Sequence, residues 1–170
     1  NGIQKGLNAV IVHPGVILGY TPNWSGSGEL FKRVKKGLPF YTNGRTGYVA
    51  AEDVVRAMIL LMKSDSNDRR FVLVGENCRH KDILQWMADG FGKLRPFIGM
   101  NKTLLLSAHV LELAGKLLGF TPLIDTSSAK VAVSQKTYSA GKFLSLFPDF
   151  QFTNIRDSIF AICEFDKKRT

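Results

Sequence analysis

The chain has 170 residues, of which 45% are hydrophobic and 22% are charged, and its 23 basic and 14 acidic side chains give a net charge of +9. This composition excludes a disordered tail, and a chain of this length buries about 70% of its extended surface, which is enough for one core. The apolar runs stop well short of the ~20 residues that span a bilayer, so we expect no transmembrane helix and no membrane partner.

The positive charge is spread along the chain. Residues 1–63 carry +5 and residues 64–170 carry +4. Because no single basic stripe results, we do not expect a nucleic acid as the main partner. An anionic small molecule suits the charge equally well. Nucleic-acid binding stays open as a further hypothesis, which predicts a steep loss of affinity with salt.

Two cysteines, Cys78 and Cys163, are too few for a disulfide framework in a chain of this size. Free thiols are typical of a reducing compartment. No basic segment followed by an apolar segment opens the chain, as a secretion signal would. We therefore expect a cytoplasmic protein.

The first half of the chain alternates strand and helix patterns. Residues 1–6 are polar and glycine-rich and are typical of a helix end. The β-branched run at residues 8–12 predicts a strand buried on both faces, as in a parallel sheet. A loop at residues 20–28 leads into a short amphipathic helix at residues 29–36.

The next patterns predict a hairpin, a helix and a second buried strand. Residues 40–42 and 47–49 flank Asn43-Gly44, a turn signal between two strands. A helix is predicted at residues 52–63, and its expected apolar face consists of Val54, Val55, Met58, Leu61 and Met62. A buried strand follows at residues 71–75. The order strand, helix, strand predicts an α/β unit with a parallel sheet.

The remaining sequence is mostly helical. Its predicted helices lie at residues 81–91, 102–118, 126–133 and 139–146, and a last one is capped by Thr153-Asn154 and runs to about residue 167. The first of these has an apolar stripe formed by Ile83, Leu84, Met87 and Phe91.

Several kinds of catalytic or binding site find no support in the sequence. His13, His80 and His109 are far apart, and the close pair Cys78 and His80 lacks two further ligands at a recognisable spacing. We therefore expect no metal site. The chain also has neither a Gly-x-Ser-x-Gly elbow nor a Walker phosphate loop.

Tyr138 and Lys142 have the Tyr-x-x-x-Lys spacing. On a helix this spacing places a phenol and an ammonium on one face, and the cation favours a phenol that donates a proton during carbonyl reduction. Tyr138 lies near the start of its predicted helix, however, and no dinucleotide-binding strand order precedes it. We do not assign it a catalytic role.

Three segments, in order, match one family. In GLNAVIVHPGVILG (residues 6–19) an apolar strand runs into a His-Pro turn; PFYTNGRTGYVAAEDVVRA (39–57) combines a glycine-rich turn, a Tyr-Val strand and an Asp-Val helix; and RFVLVGEN (70–77) is a further sheet strand. Together they resemble the extended short-chain dehydrogenase/reductases, in particular the dihydroflavonol-reductase-like group of the NAD-dependent epimerase/dehydratase family.

The resemblance implies a C-terminal half. The family's glycine-rich first strand, its catalytic Ser or Thr and its Tyr-x-x-x-Lys all precede the strand that residue 8 begins, and none is found here. The implied fold class is α/β, the C-terminal part of a Rossmann-type parallel sheet with a mostly helical substrate-binding lobe. Residues 1–19 and 48–76 would be the sheet, and residues 20–47 and 77–170 the lobe.

The resemblance also implies roles by position. The cofactor would be NAD or NADP, and its nicotinamide would lie beside the turn formed by Pro14, Gly15, Val16 and Ile17. The pocket for a small-molecule substrate would be lined by Tyr20, Trp24, Ser27, Leu30 and Phe40. Arg45 would bind an anionic group of that substrate. Asp53 is interpreted as a helix-start residue and Tyr48 as a support of the sheet. A homodimer is compatible with this family.

The function expected from this resemblance is hydride transfer between a nicotinamide and a substrate hydroxyl or carbonyl, as a reductase or epimerase. The chain alone, without the Tyr-Lys pair and the phosphate loop, would be inactive. The alternative is a non-enzymatic module of the same fold that binds a ligand or a protein, with the helix at residues 102–118 as its contact surface.

Overall fold

The computed structural model describes residues 9–66, 69–100 and 134–169. Within these ranges the strands are β1 (Ile11–Pro14), β2 (Val16–Leu18), β3 (Phe40–Thr42), β4 (Arg45–Ala50), β5 (Arg70–Leu73), β6 (Glu76–Arg79) and β7 (Ile98–Met100). The helices are α1 (Gly28–Lys35), α2 (Ala51–Met62), α3 (His80–Phe91), α4 (Gly141–Leu146) and α5 (Ile155–Lys167).

The α/β unit with parallel pairing is present. β1 pairs in parallel with β5, with Val12 opposite Phe71, and α2 lies between these strands in the sequence. The strand starts three residues later than its pattern predicts. Residues 9–12 are half-buried rather than fully buried as the pattern predicts, and the strand continues through the exposed His13 and Pro14. Within the described ranges β1 has one strand neighbour, β5, so its other edge is unpaired there.

β4 is the centre of a three-stranded sheet. β2 pairs with it in parallel, with Ile17 opposite Val49, and β6 pairs with it antiparallel, with Thr46 opposite Cys78. The sequence did not predict β2 or β6, because three or four residues carry too little alternation to define a strand.

The predicted hairpin between residues 40–42 and 47–49 is wrong. β3 instead pairs in parallel with β7, with Tyr41 opposite Gly99, while β4 joins β2 and β6. The local turn signal at Asn43-Gly44 is real, but the partners of both strands lie elsewhere in the sequence. Pairing with β2 and β6 is accompanied by burial of β4 from Gly47 to Ala50.

The helices agree with their predicted positions to within two residues. The cap of α5 is confirmed, because the Asn154 side chain accepts a hydrogen bond from the Asp157 main-chain nitrogen at 3.2 Å. The apolar stripe of α3 is buried as predicted. The predicted apolar face of α2 is only partly right: Val54 and Leu61 are buried, whereas Val55, Met58 and Met62 are exposed.

Two hydrophobic clusters hold these elements together. The larger one, here called the α3–α5 core, joins α1, α3 and α5 to the three-stranded sheet through Leu18, Phe31, Val34, Tyr48, Cys78, Ile83, Leu84, Met87, Ala88, Phe91, Ile155, Ile159, Ile162 and Cys163. The second, the α2–α4 core, joins α2 and α4 to β4 and β5 through Val49, Val54, Ala57, Leu61, Phe71, Leu73 and Phe143. The division into a sheet part and a lobe stays a prediction.

The predicted helices at residues 102–118 and 126–133, and the helix end at residues 1–6, lie outside the described residues. Among the helices that are described, none combines the length and the apolar character needed to cross a membrane.

Candidate functional site

The turn between β1 and β2 is held by a close approach of two backbones. The Gly15 nitrogen donates to the Leu73 carbonyl oxygen at 3.0 Å. A Cβ on Gly15 would overlap the Gly47 carbonyl oxygen, and a Cβ on Gly47 would lie 2.7 Å from a Val74 methyl carbon. A side chain at either position would clash, so glycine allows the close approach of the two backbones. At this turn the chain leaves β1, which pairs with β5, and enters β2, which pairs with β4.

A groove of about 370 Å³ opens beside this turn. Its walls are formed by His13, Pro14, Gly15, Val16, Thr46, Val72, Val74 and Tyr138. Three of the four residues predicted for the nicotinamide therefore lie together at the groove. Ile17 follows them directly, 38% exposed and outside its lining. Sequence reasoning missed the other five residues, which come from four separate segments.

The Tyr-x-x-x-Lys pattern does not form a phenol–ammonium pair. α4 begins at Gly141, so Tyr138 precedes the helix. The Lys142 ammonium lies 5.1 Å from the centre of the Phe71 ring, whereas Tyr138 lines the groove. The two side chains therefore point to different surroundings.

Two of the predicted substrate residues belong to an aromatic cluster on the α3–α5 core. Tyr20 packs edge-on against Trp24 at 5.2 Å and against Phe165 at 4.8 Å. Trp24 stacks on the buried Phe31 at 5.6 Å. Leu30 packs against the same core. Both aromatic residues remain partly exposed, so packing and ligand contact are compatible at this surface.

The other three predicted substrate residues are dispersed. The Ser27 hydroxyl donates to the Ile17 carbonyl oxygen, which ties the start of α1 to β2. Phe40 is half-buried in β3. Arg45 is exposed at the start of β4 and makes no ion pair within the described parts of the chain. The assignment of these residues to a substrate stays a prediction.

A polar cluster lies where β4, β6 and the start of α3 meet. The Tyr48 hydroxyl and His80 Nδ1 are 2.6 Å apart, and His80 Nε2 is buried without a partner within the described ranges. Burial raises the pKa of Tyr48, lowers the pKa of His80, and, with the nearby Glu76 carboxylate, raises the pKa of Cys78 to about 12. All three side chains are thus held neutral, which suits a structural role.

Metal ligation gains no candidate from the geometry. In residues 9–66, 69–100 and 134–169, no three His, Cys, Asp or Glu side chains come together in an arrangement that could hold an ion.

Known proteins share the fold of this chain. No family model matches the sequence. A curated relative, the sterol demethylase protein B of Methylococcus capsulatus, is 28% identical over 111 residues, which are 64% of this chain and 34% of that protein. A nucleoside-diphosphate-sugar epimerase from Pseudomonas aeruginosa superposes with a TM-score of 0.76 and 18% identity, over 98% of this chain and 50% of that one.

Two further structures contain a nicotinamide cofactor. The UDP-glucose 4-epimerase of Thermus thermophilus, in complex with NAD, has a TM-score of 0.64 and 17% identity, over 96% of this chain and 48% of that one. A human epimerase family protein with NADPH also has a TM-score of 0.64, with 14% identity, over 91% of this chain and 48% of that one.

These similarities confirm the resemblance at the level of the fold. The chain has the α/β fold of these solved epimerases, over a part of that fold. It spans about half the length of the solved structures and about a third of the curated relative. This coverage of about half of each solved structure is consistent with the C-terminal half that the family resemblance implies.

Proposed function

We propose that the chain is the C-terminal portion of an NAD(P)-dependent oxidoreductase or epimerase that acts on a hydroxyl or carbonyl group. The observation that carries this proposal is the groove at the β1–β2 turn, where Pro14, Gly15 and Val16 come together within a fold shared with NAD-containing epimerases. The cofactor assignment as such rests on that likeness and on the sequence motifs.

The groove suits a flat, partly apolar ring. Val16, Val72 and Val74 give it apolar walls, and Pro14 fixes the turn at its edge. Glycine at positions 15 and 47 keeps both backbones free of side-chain bulk. A bound nicotinamide would supply the hydride acceptor or donor. The chain's own residues would orient it and shield one of its faces from water.

The proposal assigns the phosphate loop and the catalytic Tyr-Lys pair to a polypeptide segment outside this chain. An exposed apolar face and an unpaired strand edge support that assignment. Val55, Ile59 and Met62 on α2 are 55%, 46% and 82% exposed, and contiguous apolar residues on a surface mark a site of contact with another polypeptide. β1 is paired along one edge only within the described ranges, and an unpaired strand edge favours the addition of another strand.

Calorimetric titration of the isolated chain with NAD and NADP tests this assignment. We expect no binding in the micromolar range, because the phosphate-binding loop is missing. A micromolar Kd for either dinucleotide would contradict the proposal.

The gene region upstream of the codon for Asn1 supplies an independent test. We expect an in-frame segment that encodes a Tyr-x-x-x-Lys pair. A natural start codon at that position would instead support the non-enzymatic module.

Two substrate types can be separated by variants of the complete polypeptide. The relative named for sterol demethylation suggests an apolar ring system, which Tyr20 and Trp24 would contact. The sugar-nucleotide epimerases suggest an anionic substrate, which the exposed Arg45 would meet. Tyr20→Ala raises KM for an apolar alcohol but not for a nucleotide sugar, and Arg45→Ala has the reverse effect.

A further inference from the structure

Tyr138 stands out among the groove residues because its backbone is fixed while its ring stays open to solvent. Asn77 forms two hydrogen bonds with it: the side-chain amide donates to the Tyr138 carbonyl oxygen at 2.8 Å, and the Tyr138 nitrogen donates to Asn77 Oδ1 at 2.9 Å. The residue is nevertheless 42% exposed.

A second attachment fixes the segment that precedes Tyr138. The Arg45 nitrogen donates to the Ser134 carbonyl oxygen at 2.8 Å, and the Lys136 nitrogen donates to the Arg45 carbonyl oxygen at 3.0 Å. Residues 134–138 therefore run alongside the start of β4. Their position is set by main-chain contacts, so the Tyr138 ring is presented at a defined place.

The Tyr138 ring lies beside the Gly47 backbone, at the edge of the groove that Tyr138 lines. A Cβ placed on Gly47 would lie 3.3 Å from Cδ2 of Tyr138, and a Cβ placed on Gly15 would overlap the Gly47 carbonyl oxygen. Gly47 thus lies close both to the Tyr138 ring and to Gly15 of the predicted nicotinamide turn. Within the described parts of the chain the Tyr138 hydroxyl donates no hydrogen bond, so its polar tip is available to a ligand.

We propose that Tyr138 is a cofactor-positioning residue whose ring forms the second wall of the nicotinamide site, opposite Pro14, Gly15 and Val16. An aromatic ring offers a flat apolar face and a hydroxyl, which match the ring and the carboxamide of a nicotinamide. Asn77 acts through Tyr138 by holding its backbone. This inference rests on the proposed function, since that function places the nicotinamide in the groove.

Nicotinamide mononucleotide is a suitable probe because it carries the reactive ring without needing the adenosine site. In a titration followed by amide NMR we expect it to shift the signals of Gly15, Val16 and Tyr138, whereas adenosine monophosphate leaves them in place. Tyr138→Ala weakens binding roughly fivefold, and Tyr138→Phe, which keeps the ring, changes it less. Asn77→Ala weakens binding as well.

Thr137→Ala is the matched control, because its exposed side chain precedes Tyr138 and lies outside the groove lining. The amide signals of α3 and α5 report whether each variant remains folded. If the probe shifts the signals of Gly15 and Val16 and binds the native chain and Tyr138→Ala with the same affinity, the role of Tyr138 is overturned while the nicotinamide assignment stands. Saturating probe with no shift of Gly15 or Val16 would overturn the nicotinamide assignment and this inference together.

Discussion

Asp53 on α2 accepts two hydrogen bonds from Thr153, a residue 100 positions later in the chain. The Thr153 nitrogen donates to Oδ2 at 2.7 Å and its hydroxyl to Oδ1 at 3.0 Å. The carboxylate is fully buried and pairs with Arg56 at 2.7 Å. Asp53 therefore attaches the start of α2 to the segment that leads into α5. The interpretation of Asp53 as a helix-start residue is right but incomplete.

Replacing Asp53 with alanine should destabilise the protein strongly. The Thr153 main-chain nitrogen would be left without its acceptor, and hydrogen bonds to a charged group contribute about 1.5–3 kcal/mol. We expect a loss of roughly 2–3 kcal/mol in the free energy of unfolding, measured by urea denaturation. Glu52→Ala, an exposed position in the same turn, is the control and should change stability little. Equal losses in both variants would contradict the attachment.

Gly47→Ala should destabilise the strand crossing. The new Cβ would lie 2.7 and 2.8 Å from the two Val74 methyl carbons, and overpacking of this kind costs about 1–3 kcal/mol. Gly75→Ala is the matched control, because its Cβ would have ordinary contacts of 3.4 Å and longer. Val74→Ala removes both methyl groups, so adding it to Gly47→Ala should recover part of the loss in denaturation experiments. If Val74→Ala recovers none of the lost stability, the strain in Gly47→Ala does not come from the Val74 methyl groups.

Acidification should destabilise the fold through His80. Burial lowers the pKa of His80 below its ordinary value of 6.5, so the unfolded chain binds the proton more readily than the folded chain. Its contribution to stability is complete above about pH 6.5 and is lost as the pH falls towards the folded-state pKa. In His80→Gln the difference in unfolding free energy between pH 8 and pH 5 should be smaller. An unchanged difference would assign the effect to another group.

Neither cysteine should react quickly in the folded chain. Burial raises the pKa of Cys78 and of Cys163 to about 12, so the reactive thiolate is scarce at pH 8. Titration with a thiol reagent should detect almost no fast-reacting group in the native protein and both groups after unfolding in urea. Fast native labelling that Cys78→Ser abolishes would show that the β4–β6 sheet opens readily.

The exposed apolar face of α2 should tolerate charge. Met58→Lys and Met62→Lys change side chains that are 43% and 82% exposed, so the free energy of unfolding should stay within about 0.5 kcal/mol. Light scattering should show less self-association of the isolated chain, because the apolar stripe is interrupted. Val54→Lys is the control: this position is buried in the α2–α4 core, and the variant should unfold. Strong destabilisation by Met62→Lys would mean that this face is covered within the chain.

The groove could be predicted only in part. Pro14, Gly15 and Val16 are contiguous and were found through a resemblance carried by one short segment. Thr46, Val72, Val74 and Tyr138 reach the same groove from β4, β5 and the segment before α4. Sequence position did not assign them to the groove, because their proximity depends on strand register and on the two hydrogen bonds between Asn77 and Tyr138. The exchange of the predicted hairpin for the β3–β7 pair has a similar cause: the partner strand lies about 58 residues along the chain.

The sequence by itself determined the features that depend on residues close together in the chain. The cap at Asn154 and the buried stripe of α3 follow from spacing and composition within one helix, and the α/β unit follows from the order of strand and helix patterns along residues 8–75. Only the tertiary structure decided which face of α2 is buried, that Asp53 holds Thr153, and that Tyr138 lines the same groove as the Pro14–Val16 turn. These relationships join residues up to 100 or more positions apart, and their free energy appears only when the chain brings them together.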